Sequence, residues 1–270
     1  MNFQSNELSL NEIESLLHHE ADYFGMLATC EFRSSAWHLE CALLPDYGDV
    51  NRAIRVRDYG SGSMETAEEI LTRFTQKSLK PVVDIDPVGE SQGLFEAFQG
   101  FGLFRTQPDR VLMRWNSSAS REPQAGDGIE IVRISDSSAD KEEEQALWVE
   151  TAVSDDLGTE WESLWRIVAT HETKLTGIDL YLAFLNGRPA GCCSLFSKSG
   201  LGRVDSVITR KGFRRRGVAA ALVRRAISDS LKFRNSDTYL VTECGSPAEC
   251  LYRKIGFETW RVNFLIRLST

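Results

Sequence analysis

The sequence predicts an α/β architecture built around a mixed sheet, and three observations support this class. Strand-like and helix-like segments alternate through the second half of the chain. The 270 residues exceed the usual size of one domain, and 42% of them are hydrophobic, so each half is long enough to bury its own core. Glycine, proline and aromatic contents are ordinary, which excludes collagen-like, low-complexity and disordered chains.

A polar segment divides the chain into two halves. Residues 116–128 have the sequence NSSASREPQAGDG and follow an apolar, strand-like run at residues 111–115. Such richness in serine, glycine, proline and charge is typical of a linker. We therefore predict one domain over residues 1–118, a linker over residues 119–128 and a second domain over residues 129–270.

The second half begins with a strand in which apolar and polar residues alternate. Further along, Asn186-Gly187 between two apolar runs is a strong hairpin signal. Ser246 and Glu249 form a capping box that opens the last helix, and Gly256 is suited to end it. The predicted elements are strand 129–134, helices 140–153 and 159–172, strands 180–185, 190–196 and 202–209, a helix from 217, strand 238–243, helix 246–256, and strands within 257–268.

The first half has weaker patterns. A capping box at Ser9 and Glu12 predicts a helix through about His19. After it we expect an apolar segment at residues 37–44, helices near 65–76 and 91–99, and a strand at 81–85.

The tails of the two halves resemble each other in sequence. Both AFQGFGLFRTQPDRVLMRW (97–115) and LYRKIGFETWRVNFLIRL (251–268) pass from a helix end through a glycine into a strand. An internal repeat and a chance similarity of two helix–Gly–strand units are both open interpretations. The aligned pairs are Gly102 with Gly256, Phe98 with Tyr252 and, after one gap, Arg114 with Arg267.

Charge and hydropathy exclude several classes of partner. The chain has 31 Lys and Arg against 39 Asp and Glu, a net charge of −8, which repels nucleic acid and anionic membranes. No uncharged apolar stretch of about 18 residues occurs. The first residues, MNFQSNELSL, lack the apolar region of a secretory signal, so we expect a cytoplasmic protein.

The six cysteines do not predict a metal site. No C-x-x-C pair occurs, and the four histidines do not alternate with the cysteines, so we expect no bound metal. We interpret the cysteines as reduced thiols that pack as small hydrophobic residues.

Five basic residues interrupt this acidic chain within residues 210–216. They lie between a predicted strand and a helix whose first turn contains no acid. Backbone N–H groups at such a junction form an anion cradle, the helix dipole adds to it, and arginines supply charge for phosphates. The turn lacks the residues of a P-loop or a dinucleotide fingerprint. It predicts a diphosphate site, with a solvated basic turn as the alternative.

Two segments resemble the GNAT acyltransferase superfamily. Residues 214–219 (RRRGVA) fit its Q/R-x-x-G-x-G/A signature, and residues 248–257 (AECLYRKIGF) are similar to its Ala-x-x-Leu-Tyr-x-Lys-x-Gly-Phe run. The resemblance covers residues 128–270. It implies a mixed, mostly antiparallel sheet flanked by helices, which belongs to the α/β class in the broad sense and to the α+β class in the strict sense. The first half resembles a degenerate copy, because we expect no R-x-x-G-x-G/A turn in it and Phe98 lacks the phenol of Tyr252, so we predict two tandem GNAT-like halves.

The resemblance implies acetyl-CoA as the co-substrate. Strand residues 207–209 would pair with pantetheine like an added strand, and the turn after them would hold the diphosphate. In place of the asparagine that often precedes the last helix of the family, this sequence has Gly245-Ser246-Pro247, so one cofactor contact of the family has no matching side chain here. The implied cofactor-binding residues are Val207, Ile208, Thr209, Arg214, Arg215, Arg216, Gly217, Val218 and Ala219.

The implied activity is transfer of an acetyl group to a primary amine by direct attack in a ternary complex. A backbone amide near residues 207–209 would polarise the thioester carbonyl. Tyr252 is implied as the general acid that protonates the leaving thiolate, with a core tyrosine as the alternative. Glu243 and Asp205 are candidate general bases, and either is equally suited to be a structural acceptor.

The sequence leaves the acceptor open. A small-molecule amine and a protein amine both suit the chemistry, whereas neither nucleic acid nor a membrane is expected as a partner, and no oligomeric state is indicated. The alternative function is a non-catalytic acyl-CoA-binding or regulatory module, which would bind acetyl-CoA without releasing its thiol.

Overall fold

The structure, a computed structural model, divides the chain into two compact units. One consists of Met1–Val111 with Trp260–Thr270, and the other of Leu112–Thr259. The described residues are 9–33, 36–41, 44–45, 47–57, 62–86, 92–105, 110–116, 128–134, 140–153, 159–262 and 266–270.

The helices and strands alternate in both halves, in agreement with the predicted class. The first half contains α1 (Leu10–Leu27), β1 (Thr29–Arg33), β2 (Ala36–Glu40), β3 (Arg52–Val56), α2 (Ser63–Gln76), β4 (Val82–Ile85), α3 (Gln92–Gly100), β5 (Phe104–Arg105) and β6 (Arg110–Trp115). The second contains β7 (Ile129–Ile134), α4 (Lys141–Ala152), α5 (Thr159–Glu172), β8 (Ile178–Leu185), β9 (Arg188–Lys198), β10 (Leu201–Thr209), α6 (Val218–Lys232), β11 (Asp237–Glu243), α7 (Pro247–Ile255), β12 (Phe257–Val262) and β13 (Ile266–Ser269).

The first unit is built on a mixed sheet with the strand order β1-β2-β3-β4-β13-β5. Its described pairs are antiparallel except β3 with β4, which run parallel. Apolar residues of α2 and α3, including Ile70, Phe74 and Phe98, pack with Ile85 and Leu268 of the sheet in one core. Burial of this apolar surface is the main force that holds the unit together.

The second unit is built on a larger mixed sheet with the strand order β12-β6-β11-β10-β9-β8-β7. Strands β7 to β10 pair antiparallel, and β10 pairs parallel with β11. One core contains Trp148 of α4 with Leu182 and Cys192 of the sheet. Helix α6 buries a second apolar stripe, which includes Leu222 and Val223. The predicted fold class, a mixed sheet flanked by helices, is therefore confirmed.

Each sheet takes one strand from the far end of the other half of the sequence. β6 lies between β11 and β12, and β13 lies between β4 and β5. These compact units therefore differ from the predicted division at residues 1–118 and 129–270, which placed β6 and β13 with their neighbours in sequence. The difference arises because a strand is assigned to a sheet by its hydrogen bonds, and a linker signature carries no information about them.

The aligned tails occupy equivalent places in the two sheets. Gly102 follows α3 and Gly256 follows α7, both with positive φ, +85° and +112°. Arg114 lies on β6 and forms an ion pair with Asp237 of β11. Arg267 lies on β13 and pairs in the same way with a buried aspartate of β4. The two tails are therefore one structural unit used twice, and the described elements follow the same order from β1 onward in the first half and from β8 onward in the second.

Helix α1 is longer than predicted. Its capping box has the expected geometry, because the Glu12 amide donates to Ser9 Oγ at 3.3 Å and the Ser9 amide donates to Glu12 Oε2 at 3.0 Å. The helix continues beyond His19 to Leu27, since Tyr23, Phe24 and Leu27 carry on its buried face. No helix in the described part of the chain is long and apolar enough to cross a membrane.

Candidate active site

The candidate site lies where β10 separates from β11. The two strands pair in parallel at residues 201–203 with 237–239, and no further pair joins them among the described residues. On its other edge β10 stays paired with β9, with a shift of register between Asp205 and Ile208. Ser206 within this bulge has φ +50°, an unusual conformation for a residue with a side chain. The edge of β10 beyond Arg203 can therefore accept another extended chain.

A glycine allows the next helix to begin close to this bulge. A Cβ atom on Gly191 of β9 would lie 2.5 Å from the Ile208 carbonyl oxygen and 2.9 Å from Val218 Cγ1. Any side chain here would push the start of α6 away from the strands. Gly191 thus fixes the distance between the bulge and the first turn of α6.

The turn between β10 and α6 presents a row of backbone amides. A short 3₁₀ helix, Lys211–Phe213, leads into Arg215 and Gly217, which have φ +60° and +84°. Gly217 is the N-cap of α6, and no acid lies in the first turn of that helix. The amides of residues 215–220 have no hydrogen-bond acceptor among the described residues. This arrangement of free N–H groups at a helix N-terminus is suited to bind an anion.

Two arginine side chains lie against the aromatic ring of Phe213 in the turn. The guanidinium carbons of Arg188 and Arg216 lie 5.7 and 5.9 Å from the centre of the Phe213 ring, within the range of a cation–π contact. Arg214 instead donates from Nε to the Thr209 carbonyl at 3.2 Å. The predicted arginines 214–216 are all exposed beside the free amides.

Tyr252 lies on α7, close to the bulge. Ser246 caps this helix by accepting the Glu249 amide at 3.1 Å, as the capping box predicts, and Gly256 ends it. The Tyr252 side chain is 7% exposed. Burial, followed by the Asp205 carboxylate and the Cys193 thiol, raises the pKa of Tyr252 above its ordinary value. The phenol therefore stays protonated, as a proton donor must, and the structure brings Tyr252 and Asp205 together.

The two predicted bases have different surroundings. Asp205 pairs with Arg203 and accepts the Ser206 amide at 2.8 Å, so it stabilises the bulge. Glu243 is exposed at the end of β11. Farther away, Glu162 on α5 is exposed and pairs with Arg166 at 3.4 Å.

The thiols beside the bulge are unsuited to act as nucleophiles. Cys192 and Cys193 are fully buried, and burial raises the pKa of each thiol well above its ordinary value. A thiol needs its thiolate form to attack, so these residues support the interpretation of packed, reduced cysteines.

Glu172 is a further acid at the bulge, which the sequence analysis missed. It is the last residue of α5, is 3% exposed and accepts a hydrogen bond from Ser206 Oγ to Oε2 at 3.2 Å. Burial and then Asp205 raise the pKa of Glu172 to about 7, while Ser194, Ser206 and Arg203 oppose the rise. Nothing in the local sequence distinguishes it from other helix-end glutamates, since the hydroxyl groups beside it come from β9 and β10.

The comparisons identify the part of the chain that carries this site. The profile of the acetyltransferase (GNAT) domain matches residues 176–259. This segment therefore matches the GNAT domain. It contains the bulge, the amide turn and Tyr252, and the resemblance predicted from residues 214–219 and 248–257 is confirmed.

Solved structures extend the likeness to most of the chain. A GCN5-related N-acetyltransferase from Kribbella flavida is 16% identical with a TM-score of 0.66, and each chain covers 92% of the other. A functionally unknown conserved protein from Staphylococcus epidermidis is 13% identical with a TM-score of 0.66, over 88% of this chain and 91% of that one. A tandem GNAT protein from the clavulanic acid biosynthesis pathway is 12% identical with a TM-score of 0.53, over 77% of this chain and 67% of that one. At these identities the likeness shows the fold. No curated protein sequence matches the chain.

In the first unit, the equivalent strands do not separate as they do in the GNAT domain. β3 and β4 are paired at Ala53 with Val83 and again at Val56 with Ile85, and the Asp86 amide continues the ladder by donating to the Val56 carbonyl at 3.0 Å. Where Ser206 lies in the bulge of β10, the first unit has Arg55, with φ +55°.

Ion pairs occupy the end of these strands. Arg57 pairs with Asp86 and with Glu14 of α1, and Arg55 pairs with the same glutamate. Helix α2, the counterpart of α6, has Glu65 in its first turn.

The first half also contains a turn motif that the sequence analysis overlooked. Residues 57–62 (RDYGSG) have the R-x-x-G-x-G spacing between β3 and α2, as RRRGVA has between β10 and α6. Residues 58–61 lie outside the described part of the chain. The first half therefore differs from the GNAT domain in its strands and charges, and not in the absence of this motif.

Proposed function

We propose that the protein is an acetyl-CoA-dependent N-acetyltransferase that acts on a primary amine by direct attack. One observation carries this proposal: the free amides of residues 215–220 lie directly after a strand whose edge is open toward β11. A diphosphate with an extended arm fits such a pair of features, because the amides take the anion and the strand edge takes the arm.

The binding mode follows from these two features. The β10 segment Val207, Ile208 and Thr209 pairs with the amide-containing arm of the cofactor. The turn formed by Arg214, Arg215, Arg216, Gly217, Val218 and Ala219 binds the diphosphate through backbone N–H groups and guanidinium charge. This basic turn also concentrates an anionic cofactor on a protein whose net charge is −8.

The chemistry uses groups that surround the end of β10. A backbone amide of residues 207–209 polarises the thioester carbonyl and stabilises the charge that develops on its oxygen. Tyr252 donates its proton to the departing thiolate, and its buried phenol is protonated throughout the working pH range. Of the two predicted bases, Glu243 is exposed and free to meet an acceptor, whereas Asp205 stabilises the bulge.

We further propose that the first half is non-catalytic. Its parallel strands stay paired to their ends, and the ion pairs of Arg57 with Asp86 and Glu14 fill that end. An acid in the first turn of α2 disfavours an anion there, and Phe98 has no proton to donate where Tyr252 has one.

The acceptor is an amine of a small molecule or of a protein. An acetyl-CoA turnover screen over both kinds of amine, monitored by release of free thiol, tests the proposal. Thiol release that depends on an amine, together with the acetylated product by mass spectrometry, is the expected result. Acetyl-CoA binding without thiol release on any amine would instead indicate a non-catalytic acyl-CoA-binding module.

A further inference from the structure

The buried carboxyl group of Glu172 has no role in the chemistry described so far. Glu172 is the last residue of α5, and the hydroxyl of Ser206 in the β10 bulge donates to its Oε2 at 3.2 Å. Ser206 is only partly buried and lies in the segment of β10 that has left β11. One hydroxyl group therefore connects the buried carboxylate with the place where the thioester would bind.

The groups that face Glu172 come from two strands. Arg203, Asp205 and Ser206 act on it electrostatically from β10, and Ser194 with the thiols of Cys192 and Cys193 does so from β9. Ser206 Oγ donates to Glu172 Oε2 at 3.2 Å, and Ser194 is a second hydroxyl group that lowers the pKa of the same carboxyl group. The bulge of β10 thus places the Ser206 hydroxyl as a donor on Glu172.

The balance of these groups lets the carboxyl group gain and lose a proton near neutrality. Burial and the charge of Asp205 outweigh the two serines and Arg203, which raises the pKa of Glu172 to about 7. A base with a pKa near the working pH is the most effective, because its deprotonated form is populated and still binds a proton. A carboxylate kept only for packing would be replaced by a neutral residue at lower cost, since burying its charge is unfavourable.

We propose that Glu172 is the proton acceptor for the attacking amine, reached through the hydroxyl of Ser206. The proposal rests on the proposed acetyltransferase function and assigns the role of base to Glu172 instead of Glu243 or Asp205. Ser206 is the group that touches the substrate, and Glu172 acts through it as a positioning and proton-holding residue.

The proton transfers balance over the reaction. An ammonium group gives one proton to Ser206 Oγ as the Ser206 hydroxyl proton passes to Glu172 Oε2. The amine lone pair then forms a C–N bond to the thioester carbon, and the C–S bond breaks as the thiolate takes a proton from Tyr252. The acetylated nitrogen loses its second proton to solvent, which also restores the proton of Tyr252 and removes the one on Glu172.

The test compares Glu172→Gln and Ser206→Ala with the parent enzyme on the amine that the turnover screen identifies. Glu162→Gln is the matched control, because it removes a carboxylate from the same helix at an exposed position. The measurements are kcat and kcat/KM against pH, and thermal stabilisation by acetyl-CoA.

We expect the parent kcat/KM to rise with an apparent pKa of about 7. In Glu172→Gln this limb should move up toward the pKa of the amine itself, with about a 10²-fold loss of kcat at pH 7 and unchanged stabilisation by acetyl-CoA. Ser206→Ala should reproduce the change, and the Glu162→Gln control should keep the parent profile. A parent-like profile in Glu172→Gln would overturn this proposal and leave the acetyltransferase intact, whereas a parent without thiol release would overturn the proposed function itself.

Discussion

Arg267 holds the carboxylate of Asp84 with two hydrogen bonds, Nε to Oδ1 at 2.8 Å and Nη2 to Oδ2 at 3.1 Å. The two residues are direct cross-strand partners of β13 and β4, and both are buried. A bidentate contact between arginine and carboxylate is strong, and its geometry also fixes the register between β13 and β4. It ties a strand from the end of the second half into the sheet of the first unit.

Arg267→Ala should destabilise the first unit by about 3 kcal/mol, because it leaves Asp84 buried with one fewer cation. Arg52, at 2.9 Å, stays paired with Asp84 and keeps the loss from being larger. Arg114→Ala is the matched control, because the ion pair of Arg114 with Asp237 is partly exposed. This pair should contribute at most about 1 kcal/mol to the free energy of unfolding. Chemical denaturation of both variants measures the difference. Equal losses would mean that burial does not distinguish the two pairs.

The place of β6, a strand from the first half of the sequence, between β11 and β12 predicts which part of the chain can fold alone. A chain of residues 126–270 lacks β6, so β11 and β12 lose the strand between them, and it should not form a stable sheet. A chain of residues 110–262 keeps β6 and should be folded and stabilised by acetyl-CoA. Circular dichroism and thermal melts with and without acetyl-CoA compare the two. A shorter chain that folds and binds equally well would show that β6 is dispensable.

Gly217→Glu should abolish thermal stabilisation by acetyl-CoA while the protein stays folded. The substitution puts a negative charge beside the free amides and a side chain at φ +84°. Gly100→Glu is the control, because it adds the same charge at the exposed end of α3, where a new Cβ meets nothing within 4 Å. Stabilisation of Gly217→Glu equal to that of the parent would place the diphosphate elsewhere.

Tyr252→Phe should lower kcat by about 10²- to 10⁴-fold, the usual range for loss of a general acid. KM for acetyl-CoA should change little, because the proton transfer belongs to the transition state. Tyr181→Phe is the control, since it removes a buried phenolic hydroxyl that has no hydrogen-bond partner among the described residues. Steady-state kinetics of both variants separate a role in catalysis from a role in packing. Undiminished kcat in Tyr252→Phe removes the phenol from the mechanism.

Glu172 should also leave a signature in stability. Its pKa is raised in the folded state from an ordinary 4.5 to about 7, so its contribution to stability is present below pH 4.5 and is lost as the pH rises through about 7. Between pH 5.5 and 8.5 the parent should therefore lose more thermal stability than Glu172→Gln. Melting temperatures at both pH values measure this, with Glu162→Gln as the control. Identical pH dependence of parent and Glu172→Gln would mean that the carboxyl group titrates normally.

The second half was predictable because its local signals agree with its tertiary structure. The Asn186-Gly187 hairpin, the Ser246 cap and the Gly256 helix end are determined by residues a few positions apart. The turn at residues 214–219 is likewise a local feature, so its sequence spacing suffices to place it between a strand and a helix.

The first half was harder to predict, since charged residues interrupt its apolar pattern. Strand β3 has the sequence RAIRV, and its arginine at position 52 is 1% exposed because Asp84 and Phe24 surround it. From sequence alone, such an arginine indicates a solvent-exposed segment. The role of Glu172 and the places of β6 and β13 in the sheets were not predicted for a related reason. Each depends on partners that are distant along the chain.

The position of β13 constrains how the protein is made. During synthesis, β4 and β5 emerge early, but the strand that separates them is not available until residue 269 has left the ribosome. Until then the backbone groups of β4 that β13 will pair with form an exposed edge, a template for wrong pairing with other chains. The sheet of the first unit can therefore be completed only after the last residues of the second half have been synthesised.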